Sequence, residues 1–123
     1  MRIEAQKIPY VWTDIRRKLE FGLKMADEYS LNNAFDYLCM GEWQLFKKNG
    51  SIAITRIAQY PQHRSMIILI CVGAMEDIKE GLPELEDFAR SVGCKRIEAY
   101  GRKGWERALG WPVSEVILKK ELN

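Results

Sequence analysis

Apolar residues recur at helical spacing in the first third of the chain and at strand spacing after it, and this change of period orders the elements. After Pro9, the residues Val11, Ile15, Leu19, Phe21, Leu23 and Met25 fall partly on one face. Asp14, Arg16, Arg17, Lys18, Glu20 and Lys24 cover the rest, which predicts an amphipathic helix that Thr13 or Asp14 helps to start. Ser30 is placed to cap a second helix, in which Leu31, Ala34, Phe35 and Leu38 share a face until Gly41 stops it. Trp43 to Lys47 and Ile52 to Ala58 then read as strands. Lys48-Asn49-Gly50 joins them, because Asn-Gly supplies the positive φ angles of a tight hairpin turn.

Beyond a turn at Pro61 to Arg64, the run Met66 to Val72 is apolar throughout, as expected of a central strand covered on both faces. A helix is predicted over Leu82 to Val92, with Pro83 in its first turn and Gly93 at its end. Lys95 to Tyr100 reads as a further strand, Trp105 to Leu109 as a short helical turn, and Val113 to Leu118 as a last strand. The order is ααβββαβαβ. It predicts a single α/β domain over residues 1–123, with helices on both faces of a central mixed sheet.

Composition narrows the class. A chain of 123 residues, 47% hydrophobic and 29% charged, suits one soluble core. The 19 basic and 17 acidic residues are spread along the chain for a net charge of +2, so neither nucleic acid nor a membrane surface is expected as a partner. Met1 to Tyr10 carries Arg2, Glu4 and Lys7 without an apolar stretch, so no signal peptide is expected there, and the apolar run Met66 to Ala74 is too short to span a bilayer. Cys39, Cys71 and Cys94 form no metal-binding spacing and two of them lie in apolar stretches, which points to a reduced, cytoplasmic setting and to no metal. His63, the one histidine, sits in a turn and reads as surface.

The buried strand from Met66, the tract Glu86-Asp87-Phe88-Ala89-Arg90-Ser91-Val92-Gly93-Cys94, the strand Arg96-Ile97-Glu98-Ala99-Tyr100 and the segment Trp105 to Trp111 together resemble the GNAT superfamily of acyl-CoA N-acyltransferases. Phe88 to Gly93 and Leu109-Gly110-Trp111 look like its helix-end and closing patterns. Gly101 to Leu109, with Gly41 to Phe46 upstream, looks more narrowly like small GNAT-like proteins of tailed phages and prophages.

The resemblance implies a loop that cradles the CoA pyrophosphate on backbone N–H groups, and family spacing places it at Gly73 to Ile78. There Glu76 and Ile78 replace both glycines. Glu76 and Asp77 would add like charge beside the phosphates, at about 1 to 4 kcal/mol each, although acidic residues also suit the first turn of a helix. Val72, Gly73 and Ala74 would line the donor cleft if acetyl-CoA binds. The family's general-acid tyrosine falls at Glu106, and a strand-borne general base at Glu42.

Arg102, Trp105 and Trp111, with Lys103 and Arg107, form the densest basic-aromatic cluster, suited to a ligand or a partner protein or equally to closing the core. The expectation is a GNAT-like domain without ordinary acetyl-CoA chemistry and with no cofactor, serving as a binding or assembly component toward a phage or host protein in the host cytoplasm. A divergent N-acyltransferase using acetyl-CoA and an inhibitor of a host protein are the alternatives.

Overall fold

The computed structural model describes residues 1–24, 28–101 and 104–122. A two-residue strand β1 (Arg2–Ile3) and a 3-10 turn (Ala5–Lys7) lead into helix α1 (Ile8–Leu23) and helix α2 (Leu31–Cys39). Strands β2 (Trp43–Lys48), β3 (Ser51–Gln59) and β4 (Arg64–Val72) follow. Helix α3 (Met75–Ser91) crosses to β5 (Arg96–Ala99), and α4 (Trp105–Leu109) comes last. The strands form one sheet in the order β1-β2-β3-β4-β5, antiparallel except for the parallel pair β4–β5.

Both faces of the sheet are covered. On one, Ile15, Leu19 and Leu23 of α1 and Ala34 and Leu38 of α2 pack against Trp43, Leu45, Ile54 and Ile70. On the other, Leu85 and Ala89 of α3 pack against Phe46, Ala53, Met66 and Ile68. This two-sided burial explains why β4 is apolar at successive positions instead of alternating.

The capping and turn chemistry read from sequence is present. Ser30 Oγ accepts from the Asn33 N–H at 3.1 Å and Asn33 Oδ1 accepts from the Ser30 N–H at 3.0 Å, a reciprocal box that fixes the start of α2. Asn49, at φ 53°, turns the β2–β3 hairpin, while Gly50 does not adopt positive φ, so one of the expected positive angles is present.

Several expectations are corrected. The N-terminal residues add strand β1 along β2, and β3, not β4, is the middle strand. Helix α1 begins at Ile8, with Pro9 in its first turn, so Thr13 and Asp14 lie inside it; burial of Ile8 to 1% exposure pins the start there. Phe21 is 57% exposed, off the buried stripe of Ile8, Ile15, Leu19 and Leu23. Helix α3 starts at Met75 instead of Leu82, with acidic Glu76 and Asp77 in its first turn and Pro83 in its interior.

The last strand is absent: Val113 to Leu118 forms no regular element, and Val113, Val116, Ile117 and Leu118 are 60%, 76%, 69% and 91% exposed. Its apolar pattern favours a strand, but a strand needs an edge to pair with, and within the described residues this segment pairs with none.

Candidate functional site

The feature that breaks the regularity of the sheet lies on β4. Ile54 pairs with Ile70 and Thr55 with Ile68, so Leu69 is an extra residue, a β-bulge. Leu69 and Ile70 consequently pack toward the same α1/α2 face. A bulge bends its strand and increases local twist. Pairing with β5 stops at the same level: Ser65 to Ile68 match Arg96 to Ala99, and the Tyr100 N–H reaches the Ile68 carbonyl at 3.1 Å. From Leu69 to Val72, β4 runs on without β5. Two parallel strands that part at a bulge leave backbone groups on the inner edge of β4 open to an extended ligand.

The divergence opens toward the start of α3. Gly73 connects the two at φ +130°, and a Cβ there would meet Ser51 Oγ at 2.0 Å, so only glycine fits. Ser51 Oγ accepts from the Ala74 N–H at 3.0 Å and donates to Asp77 Oδ2 at 2.7 Å, while Asn49 Nδ2 donates to Asp77 Oδ1 at 2.8 Å. The hydrogen bonds from Asn49, then Ser51, hold the Asp77 carboxyl below its ordinary range. Asp77 therefore ties α3 to the β2–β3 hairpin. Of the two acids read as hostile to a pyrophosphate, only exposed Glu76 keeps its charge unengaged among the described residues. The helix has Ala74 at its N-cap with no side-chain acceptor, so its positive end is left uncapped.

The other sequence candidates are scattered. Val72 ends β4, and Gly73 and Ala74 lead from it into α3. Glu42 is exposed and precedes Trp43, which is in register with Arg56 and, through it, Ile67. It is three strand spacings, roughly 14 Å, from β5. Glu106 is exposed on α4, on the outer side of β5, so the two carboxylates do not converge. Gln44 is spent inside the fold, accepting from Thr55 Oγ1 at 2.9 Å. Trp105 is half-buried, its ring against Gly101, and Trp111 packs on the α3-side core. Arg102 lies outside the described residues, so the basic-aromatic surface is seen only through its tryptophans.

Cys71 is the one thiol at the divergence. Burial pushes it up to about 12, so it is a neutral packing group at physiological pH. Burial likewise raises Cys39, aided by Asp36, and Cys94, against the opposing charge of Arg64.

Sequence reading missed three features. The Leu69 bulge has no signature in an unbroken apolar run. Asp77 resembles any first-turn acid, although Ser51, just after an Asn-Gly turn, is a placed acceptor in retrospect. The third is Glu98 on β5, whose Oε2 is sealed from solvent with no hydrogen-bond partner among the described residues.

An antiparallel β1–β4 sheet, a helical crossover and a parallel β5 that parts from β4 at a bulge define the GNAT acetyltransferase fold. The chain superimposes on a probable acetyltransferase with a TM-score of 0.66 at 11% identity, over 100% of this chain and 96% of the other. An aminoglycoside acetyltransferase from an uncultured soil metagenomic sample, in complex with sisomicin, matches with a TM-score of 0.63 at 13% identity, over 100% and 93%. The ribosomal-protein-alanine N-acetyltransferase from Brucella melitensis biovar Abortus 2308 matches with a TM-score of 0.62 at 9% identity, over 98% and 97%. No protein-family model matches the chain, and no curated protein is significantly similar to it in sequence. At these identities the likeness is one of fold. No described helix is long and apolar enough to cross a membrane.

Proposed function

We propose that this chain is an acyl-CoA-dependent N-acyltransferase with an altered donor site. The observation that carries the reading is the parting of β4 and β5 at the Leu69 bulge, directly before Gly73 and an uncapped helix start. The free edge of β4 suits the amide-rich arm of a CoA thioester, and the helix start suits its phosphates. Asn49 and Ser51 hold the Asp77 carboxylate on the β2–β3 hairpin, so its charge is engaged there by hydrogen bonds while that of Glu76 is not. The donor thioester, when bound, supplies the electrophilic carbonyl. The chain's part is to hold the arm along Leu69 to Val72 and to keep the phosphates at Gly73 to Glu76.

Calorimetry and thermal shift with acetyl-CoA and CoA test this. Saturating donor, at about a hundred times its Kd, is expected to stabilise the fold by about 2.7 kcal/mol. Absence of any heat or shift at millimolar donor would sink the reading. Binding should also weaken in Ile70→Pro, which disrupts the β4 edge.

A second reading has its own support. Glu42 and Glu106 do not converge, and exposed Glu76 stands at the phosphate end, as in a protein that kept the fold without the transfer step and works as a binding or assembly component. Donor binding without acyl transfer to any of a panel of amines, peptides and aminoglycosides would favour it.

A further inference from the structure

β5 ends the sheet. Its residues are all at least partly exposed, and its outer edge has no strand beside it among the described residues. Bare edges attract further strands, and proteins ordinarily protect them. Ile97 and Ala99 turn to the α3-side core, so Arg96 and Glu98 lie together on the opposite face by strand alternation. Arg96 is exposed, and neither it nor Glu98 has an ion-pair partner among the described residues. Glu98 moreover has an oxygen shut off from solvent and unbonded among the described residues, an unsatisfied state that folded proteins rarely leave uncompensated.

The order Arg96-Ile97-Glu98 is complementary to itself. If two copies of β5 pair antiparallel about a two-fold axis through Ile97, Arg96 of each copy stands directly opposite Glu98 of the other, on one face. Residues directly opposite in an antiparallel pair are those whose charges interact most, and a two-fold contact repeats the match. A groove of about 1170 Å³ borders β5, lined also by Ala89 of α3, Trp105 of α4 and the segment from Trp111 to Ile117. Val113, Val116 and Ile117, exposed in the single chain, would close over the strand that enters.

We propose that the β5 edge is a homodimer interface, in which a second copy of this chain extends the sheet across Ile97 with reciprocal Arg96–Glu98 pairs. The test is sedimentation velocity on the full chain and on charge-reversal variants. The wild type is expected to dimerise. Arg96→Glu places Glu opposite Glu98 twice, and Glu98→Arg places Arg opposite Arg96 twice, so each is expected to weaken dimerisation by about ten- to a hundred-fold.

The double variant R96E/E98R restores both pairs and should dimerise like the wild type. Mixing the two single variants should give a heterodimer, since every opposed pair is then of unlike charge. That outcome also shows that both single variants are folded. A wild type that stays monomeric up to about 200 µM, on the scale of weak association, overturns the proposal. So does a dimer indifferent to the single reversals, or single variants that fail to associate on mixing.

Discussion

Ser65 is a hydroxyl with no partner among the described residues. It is fully buried at the start of the β4–β5 pairing, and its Oγ makes no hydrogen bond. A buried, unbonded hydroxyl costs roughly 1 to 3 kcal/mol, whereas the void left by losing one oxygen atom is small. Ser65→Ala is therefore expected to raise stability by about 1 kcal/mol, read as a higher urea midpoint with an unchanged slope. A drop in the midpoint would mean that the hydroxyl is satisfied by an internal water. Gly22 on α1 shows the opposite limit of packing at this sheet: a Cβ there would meet Ile70 Cγ2 at 2.6 Å, so the helix touches β4 through the absence of a side chain.

Pro83 is the residue most at odds with its element. Near the middle of α3, it leaves the Lys79 carbonyl without its helical donor, a cost of about 3 kcal/mol in an unperturbed helix, while the rigid ring returns about 0.4 to 1 kcal/mol by restricting the unfolded chain. Pro83→Ala should accordingly stabilise the protein by about 2 kcal/mol in urea unfolding. No gain would show that α3 is bent to follow the sheet and has already relieved the clash. The same residue shows what sequence can and cannot tell. Pro83 read as a helix start because a proline is cheapest there, and local preference lost to the two-turn extension that brings Asp77 to Ser51. Elements with their own local chemistry were legible: the Ser30 cap, the Asn49-Gly50 turn, the α4 turn. Elements whose existence depends on a distant partner were not. β1 needs β2, and Val113 to Leu118 needs an edge it does not have within the described residues. Of the candidate site, the Gly73 junction was singled out by family spacing, but the bulge at which β4 parts from β5 depends on β3 and leaves no mark in an apolar run.

Across the whole molecule, α3 is fastened to the sheet's far side by two carboxylates of different character. Glu84 is paired with the N-terminal ammonium at 2.7 Å, and Asp77 accepts from the neutral donors Asn49 and Ser51. Both carboxyls titrate below their ordinary values, Glu84 chiefly through the N-terminal hydrogen bond and Asp77 chiefly through Asn49. A carboxyl depressed by folding stabilises the native state above its unfolded value, and this is lost as pH falls through the folded one. Stability should then hold level near neutrality and fall as the solution is acidified below about pH 4.5, where the unfolded carboxyls begin to bind protons. Salt separates the two contributions. The exposed Glu84 pair is ionic and screened at 1 M salt, where the Debye length is about 3 Å, whereas the Asp77 bonds come from uncharged donors and persist. Protonating Asp77 turns one of its two acceptors into a donor facing Asn49 or Ser51, and Asp77→Asn imposes the same mismatch at every pH. The variant should thus be less stable than wild type at neutral pH and converge with it in acid, in thermal melts at high salt. Parallel curves for the two proteins across that range would show that the Asp77 clamp contributes nothing, and that packing of Leu85 and Ala89 alone holds α3 against the sheet.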